Sequence, residues 1–139
     1  MTKGHKNISE QNGIRFIDDI NVIADNIPVE DYDLSIILGN LLDNAINACI
    51  ESGNFEKYIS IQIYMDDNDK FVIHTKNPIS TSNKSQAQHI NDLEHGYGIR
   101  NIELVIEQYH GMQKIIPTPC YETWIVIPIL DAIKRKQPS

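Results

Sequence analysis

Three asparagines stand at helical spacing within the segment Gly39–Cys49. Asn40, Asn44 and Asn47 occupy positions i, i+4 and i+7, which share one helix face because each residue turns an α-helix by about 100°. Asparagine is a poor mid-helix residue, and a face that needs only solubility more readily carries Glu, Lys or Gln. A column of neutral amide oxygens suits a hard cation such as Mg²⁺ beside a polyphosphate. The stripe taken alone leaves a solvated helix face as the alternative.

A second pattern is a pair of glycines that leads into a helical stretch. Gly96 and Gly98 precede Ile99–Tyr109, which has helical periodicity. Free amides at a helix N-terminus bind anions, and glycines let a phosphate approach the backbone closely. The same pair also fits an ordinary loop-to-helix junction that needs positive φ. His95 and Arg100 flank the glycines as candidates to touch phosphate, although a cation one turn into a helix is more often solvated.

The charge balance limits the ligands that the chain can attract. The 139 residues carry a formal net charge of −7, which disfavours nucleic acid as a partner. A nucleotide site must therefore supply Mg²⁺ ligands and backbone amides that offset the repulsion. Cys49 and Cys120 lie far apart without a nearby Cys or His partner, which predicts free thiols and no zinc site. No run of roughly 18–20 apolar residues and no signal peptide is present, so we expect a cytoplasmic domain.

The elements that position these residues follow from periodicity and punctuation. An acidic first turn after Pro28 begins a long helix that Gly53 ends. Alternating β-branched residues predict two hairpins. This order of strand, helix, hairpin, loop, helix and hairpin predicts a single-domain α/β (α+β) sandwich, with helices on one face of a sheet. The predicted elements are Gly13–Asp18, Glu30–Glu51, Tyr58–Met65, Lys70–Lys76, Ile99–Tyr109, Met112–Ile116 and Tyr121–Pro128.

Three segments lack such patterns. Residues 1–12 read as a loose lead or as the end of a truncated helix, and residues 131–139 form a short basic tail. Residues 78–95 are polar and aperiodic. A loop of that length inside a compact domain is uncommon and is usually a functional lid or a disordered linker.

The asparagine stripe also carries a family resemblance. Asn40-x-x-x-Asn44-Ala45 within GNLLDNA resembles the N box of the GHKL ATPases, and its wording is similar to histidine kinases related to quorum-sensing peptide receptors. The resemblance covers about Gly13–Ile129. It implies the Bergerat fold, whose sheet is mixed and mainly antiparallel. By similarity Asn44 ligates Mg²⁺ with Asn40 alongside, and Asn47 stands where many histidine kinases carry a phosphate-contacting lysine.

The glycine segment extends the resemblance and also departs from it. His95-Gly96-Tyr97-Gly98-Ile99-Arg100 is similar to the G2 box, whose backbone amides contact phosphates, and residues 78–95 match the ATP lid in position. The Asp-x-Gly-x-Gly box that binds adenine in most histidine kinases is missing. His74-Thr75-Lys76-Asn77-Pro78 stands there, and the amide oxygen of Asn77 is able to accept the adenine hydrogen bond. The alternative for Asn77 is an ordinary strand-ending residue.

The resemblance implies a catalytic domain that binds Mg·ATP and donates the γ-phosphate to a histidine on a dimerisation helix outside this chain. The domain is expected to be monomeric, and its parent a membrane-anchored homodimer that passes the phosphoryl group to a response regulator. His74 and His95 are expected at the edge of the pocket. Two alternatives stay open, a free-standing anti-sigma-factor serine kinase and a nucleotide-binding regulatory domain without turnover.

Overall fold

A computed structural model describes residues 3–53, 56–79 and 95–129. Most of the predicted lid, residues 78–95, and the whole predicted tail lie outside the described residues. The elements follow the predicted order, with one helix added in front. They are α1 (Lys3–Gln11), β1 (Ile14–Asn21), a 3₁₀ turn (Ala24–Asn26), α2 (Asp31–Ser52), β2 (Lys57–Met65), β3 (Lys70–Asn77), α3 (His95–Glu107), β4 (Met112–Ile116) and β5 (Tyr121–Pro128).

The five strands form one sheet in the order β1-β2-β3-β5-β4. β1 runs parallel to β2, and the other three pairs are antiparallel. Parallel neighbours need a crossover connection, which α2 supplies, whereas short turns suffice within antiparallel pairs. The predicted sandwich with a mixed, mainly antiparallel sheet is therefore confirmed. β1 is longer than the predicted strand Gly13–Asp18 because its pairing with β2 continues to Asn21.

The core lies between one face of the sheet and the helices. Ile59, Ile61 and Ile63 alternate along β2 and are all buried, and burying each such side chain stabilises the fold by roughly 1.5–3 kcal/mol. α2 presents a long apolar stripe to them, and α3 packs beside α2. The main helix contributions to the core are Ile37, Leu41, Leu42, Ala45, Ile46 and Cys49 from α2, and Ile102, Val105 and Ile106 from α3.

Residues Lys3–Gln11 form a helix. α1 packs against β1 and α2, and Ser9 is fully buried in this contact. His5 Nε2 lies 3.0 Å from a carboxylate oxygen of Asp43 on α2. Lys6 Nζ lies 3.4 Å from a carboxylate oxygen of Asp18 on β1. Polar pairs thus attach α1 to both layers of the sandwich.

Burial also fixes the state of one thiol. Both cysteines are free, as predicted. Cys49 is fully buried in α2, and its Sγ donates a hydrogen bond to the Tyr58 carbonyl at 3.2 Å. Desolvation raises the pKa of Cys49 to about 11, so this thiol stays protonated and packs as a small apolar side chain. Among the described residues, no helix has the length and apolar character needed to cross a bilayer.

α3 ends in a Schellman motif, in which the residue after the C-cap is left-handed. That residue is His110, at φ 59°, and not the glycine that the sequence offers one position later. The His110 amide donates to the Glu107 carbonyl, and the Gly111 amide donates to the Ile106 carbonyl at 2.8 Å. Gly111 is needed for close packing, since a methyl group built on it would lie 3.0 Å from both Ile106 Cβ and Ile127 Cγ1.

Gly111→Ala should lower the free energy of unfolding by about 1–3 kcal/mol, because the added methyl overpacks the core and meets the Ile106 carbonyl. His110→Gly removes the side chain from a left-handed position and should raise that free energy by up to about 1 kcal/mol. Urea denaturation of the two variants and the parent measures both changes. A Gly111→Ala variant as stable as the parent would contradict the packing role.

Candidate functional site

Three segments meet at one end of the sandwich. The C-terminal half of α2 lies over the start of β2, where Cys49 bonds to Tyr58. β3 runs antiparallel to β2, and Lys76 near the end of β3 pairs with Ser60 near the start of β2. The end of β3 therefore lies at the same end of the sandwich as the start of β2. The first turn of α3 lies against α2 at that end. The asparagine stripe, the end of β3 and the glycine pair are therefore brought to the same end of the molecule.

Asn44 and Gly98 are in direct contact. A methyl group built on Gly98 would lie 2.9 Å from Asn44 Nδ2 and 3.1 Å from Asn44 Oδ1. Gly98 is buried and Asn44 is half-buried. A side chain at position 98 would thus occupy the place of the Asn44 amide, which explains why glycine stands there. The two motifs with the strongest chemical signal in the sequence form one site.

The other two asparagines of the stripe differ in burial. Asn40 is half-buried, and its Nδ2 donates to the Ile36 carbonyl at 2.8 Å. This bond commits the nitrogen and leaves the amide oxygen as the atom that Asn40 can offer to a cation. Asn47 is exposed, as a solvated face would have it. The stripe therefore combines two half-buried amides with one that faces solvent.

α3 begins at His95, four residues earlier than predicted. Gly96 and Gly98 consequently lie in its first turn and not in a loop before it. The first four amides of a helix have no intrahelical acceptor, and the helix dipole makes this end positive. An anion can therefore still bind here, because Gly96 is among the residues whose amides the helix leaves unpaired, and Gly98 adds no side chain to the same turn.

Two flanking candidates differ in exposure. Ile99 is half-buried, and Arg100 is exposed. Arg100 is the only one of the predicted phosphate contacts that carries a permanent positive charge, and its exposure fits the solvated alternative as well as a contact with a bound anion. The side chains of His95 and Tyr97 lie outside the described part of the chain.

Asn77 is a buried amide at the end of β3. It is 2% exposed on the core-facing side of the sheet, two residues after the equally inward Thr75. Its Nδ2 donates to the Pro78 carbonyl at 3.1 Å. Burial of a polar side chain is costly without a partner, and this bond supplies one for the nitrogen. The amide oxygen is the atom that an adenine amino group needs, so the geometry suits both interpretations of Asn77.

His74 is not at the edge of this site, and that prediction is wrong. It lies on the opposite face of the sheet from Asn77, because neighbouring side chains along a strand alternate between faces. There its ring stacks on Trp124 with centroids 3.7 Å apart. His74 Nε2 lies 2.9 Å from Glu122 Oε1. These contacts hold His74 on the outer face, away from α2 and α3.

Sequence patterns did not single out Tyr109, which joins the far ends of the same two helices. Its hydroxyl donates to an Asp33 carboxylate oxygen. Asp33 is the third residue of a helix whose N-cap, Glu30, makes no side-chain cap hydrogen bond. Near this end a cleft of about 490 Å³ is lined by Glu103, Ile106, Glu107, His110, Gly111 and Gln113, none of them a predicted site residue.

The Asn44–Gly98 contact predicts different outcomes for two glycine substitutions within helices. Gly39→Ala on α2 adds a methyl group in open space and should raise the free energy of unfolding by about 0.5–1 kcal/mol through helix propensity. Gly98→Ala should lack this gain, because the methyl must displace the Asn44 amide. Urea denaturation gives the two values, and the NMR signals of the Asn44 side-chain amide report the displacement. Equal stabilisation by both changes, with unmoved Asn44 signals, would contradict the contact.

Comparison with known proteins identifies the family. Residues 29–130 match the GHKL domain, whereas no curated protein matches the chain. The fold is shared with the histidine kinase domain of the blue-light activated histidine kinase EL346 of Erythrobacter litoralis (TM-score 0.65, 10% identity, 96% of this chain and 62% of that chain). It is shared with the histidine kinase AdeS of Acinetobacter baumannii (TM-score 0.65, 16% identity, 91% of this chain and 60% of that chain). It is also shared with the mycobacterial sensor histidine kinase MprB (TM-score 0.60, 14% identity, 88% of this chain and 89% of that chain).

This chain spans less than two thirds of the length of the EL346 and AdeS chains. At these low identities the likeness to the solved structures concerns the fold. The family match, by contrast, covers every element from α2 to β5. It includes Asn40 and Asn44 of the asparagine stripe and the glycines Gly96 and Gly98. Because that match extends over far more than half of its residues, this chain belongs to the GHKL domain family.

Proposed function

We propose that this chain is the ATP-binding catalytic domain of a sensor histidine kinase, which binds Mg·ATP and donates its γ-phosphate to a histidine on a dimerisation helix. The observation that carries the proposal is the contact of the Asn44 amide with Gly98. It joins a candidate Mg²⁺ ligand to a helix start suited to phosphate. Neither motif alone has this specificity.

The chemistry of the donor set fits a magnesium nucleotide. Neutral amide oxygens bind a hard cation without adding negative charge next to a triphosphate. The chain carries a formal charge of −7, so its overall field does not attract a nucleotide. In the proposed site Asn44 holds the metal with Asn40 alongside, and Mg²⁺ when bound neutralises the phosphate oxygens.

The first turn of α3 then holds the phosphates. Amides of His95, Gly96 and Tyr97 are donors that the helix leaves unpaired. Because Gly98 has no side chain, the phosphates can approach its backbone while the Asn44 amide stays packed against it. The following Ile99 and Arg100 complete the phosphate-binding segment, with Arg100 supplying a mobile positive charge from the surface.

Asn77 and Asn47 have separate roles in this proposal. Asn77 accepts the adenine amino group at the end of β3, on the helix-facing side of the sheet where its side chain lies. Asn47, one turn beyond Asn44 and exposed, contacts a phosphate oxygen through its amide nitrogen. The nucleotide therefore lies with its base at the end of β3 and its phosphates at the contact between α2 and α3.

The acceptor histidine is proposed to lie on a separate dimerisation helix. Of the three histidines whose side chains are described, His5 is bonded to Asp43 and His74 is stacked on the outer face. His110 is fixed at the end of α3 that is remote from Gly98. Phosphoryl transfer requires in-line placement of the acceptor, and none of the three has it. A response regulator and a link to peptide quorum sensing extend the same proposal.

Asn44→Ala should weaken Mg·ATP binding at least about tenfold, or ~1.4 kcal/mol, because a metal ligand is lost while the fold is kept. It should affect ADP in EDTA much less. Asn77→Ala should instead weaken all nucleotides alike, since each carries the base. Isothermal titration calorimetry at one temperature measures the set.

Asn101→Ala is the matched control, because it removes an exposed asparagine from the neighbouring helix α3. It should bind nucleotides as the parent does. Equal Mg·ATP affinity for Asn44→Ala and the parent would refute the metal assignment. A loss for Asn77→Ala that is confined to ATP would assign Asn77 to the phosphates and not to the base.

A further inference from the structure

One hydroxyl group joins the start of α2 to the end of α3. The backbone amide of Glu30 donates to the Tyr109 hydroxyl oxygen at 3.3 Å. The same hydroxyl donates its proton to an Asp33 carboxylate oxygen. The Tyr109 hydroxyl thus accepts one hydrogen bond from Glu30 and donates one to Asp33, both at the start of α2.

These bonds complete a helix cap that α2 cannot complete by itself. Glu30 is the N-cap of α2, and Asp33 is the third residue of the helix. In a capping box a Glu or Gln at this third position reaches back to the amide of the N-cap residue. Asp33 is one methylene shorter, and the Tyr109 hydroxyl stands between its carboxylate and the Glu30 amide. A side chain of α3 therefore closes the cap of α2.

Tyr109 is itself held firmly in place. It is the C-cap of α3, because the left-handed His110 and the two Schellman hydrogen bonds follow directly. The hydrogen bond to Asp33 is the main cause of a raised Tyr109 pKa, since only the protonated phenol can donate. This tether is thus complete below the ordinary tyrosine pKa and would be lost only as pH rises through the higher folded value.

The tether and the candidate site lie on the same pair of helices, at opposite ends. Asn44 follows Asp33 by eleven positions on α2, and the C-cap residue Tyr109 follows Gly98 by eleven positions. Both intervals span about 16 Å of helix. The two helices therefore run antiparallel, in contact at Asn44–Gly98 and hydrogen-bonded at Asp33–Tyr109.

The fully buried side chains that the structure describes between these two points are apolar. Ile37 and Leu41 of α2 and Ile102 and Val105 of α3 are buried there. Hydrophobic burial is non-directional and tolerates a small slide of one helix along the other. Hydrogen bonds weaken steeply with distance and angle, so the Tyr109 bonds resist that slide.

We propose that Tyr109 is a positioning residue for the Mg·ATP site, acting by fixing the register of α2 on α3 so that the Asn44 amide stays against Gly98. The inference rests on the proposed function. Without the hydroxyl, the two described hydrogen bonds that link that end of α2 to α3 are lost. Asn44 then spends less time where the metal and the phosphates need it. Asn77 lies in the sheet, so contact with the base is unaffected.

Tyr109→Phe tests this directly, with Tyr32→Phe as its matched control because Tyr32 is an exposed tyrosine in the first turn of α2. Calorimetry should show Mg·ATP affinity reduced at least about fivefold in Tyr109→Phe. Affinity for ADP in EDTA should be unchanged. Tyr32→Phe should bind both ligands as the parent does. Thermal melts set a measuring temperature at which every variant is folded.

A second variant separates positioning from simple helix capping. Tyr109→Phe combined with Asp33→Glu supplies the longer carboxylate that can close the cap within α2. It should recover thermal stability without recovering Mg·ATP affinity, because no bond to α3 is restored. Recovery of both would show that Tyr109 acts only by stabilising α2, and would overturn the inference.

Other outcomes are equally decisive. Unchanged Mg·ATP affinity in Tyr109→Phe, or an equal loss for ADP in EDTA, would also overturn the positioning role while the parent still binds Mg·ATP. Failure of the parent chain to bind Mg·ATP would instead refute the proposed function, and the positioning role with it. The parent measurement thus distinguishes the two failures.

Discussion

The close approach of Asn44 to Gly98 is the contact on which the candidate site depends. It requires a helix residue with a short amide and a partner with no side chain, and the chain has both at that point. The larger elements of the fold keep these two residues close together. The crossover β1–α2–β2 sets α2 on the sheet, and the apolar faces of α2 and α3 bring their axes together.

Electrostatics explains why the site is built from neutral groups. A chain with a net charge of −7 gains nothing from further carboxylates beside a polyphosphate. Amide oxygens and the amides at a helix start instead offer dipoles that are already oriented, because folding of the helices orders them before any ligand binds. In the proposed site, a bound Mg²⁺ would provide the positive charge that the net charge of the chain does not supply. The acidic first turn of α2, by contrast, suits the positive end of its own helix.

The sequence was sufficient to predict the α/β sandwich and the order of its elements from β1 onwards, because periodicity and glycine placement are local signals. It also singled out Asn44 and Gly98 as candidates, but their contact is visible only in the structure. It placed the start of α3 at Ile99 instead of His95, since glycines weaken helical periodicity even where the helix continues. The position of His74 was not predictable from its closeness in sequence to Asn77, because side chains alternate along β3 and the two residues fall on opposite faces of the sheet. Tyr109 was missed because its partners, Glu30 and Asp33, lie more than 70 residues earlier and only the tertiary fold unites them.

In the proposed site, a nucleotide-bound metal sits at the Asn44–Gly98 contact. Mn²⁺ in place of Mg²⁺ tests it, because a paramagnetic ion broadens NMR signals in its immediate surroundings far more than distant ones. With Mn·ATP the Asn44 side-chain amide and the Gly98 backbone amide should broaden first, Asn77 later, and Gly111 at the far end of α3 last. Broadening that begins at Gly111, or that spreads evenly over the chain, would contradict the account.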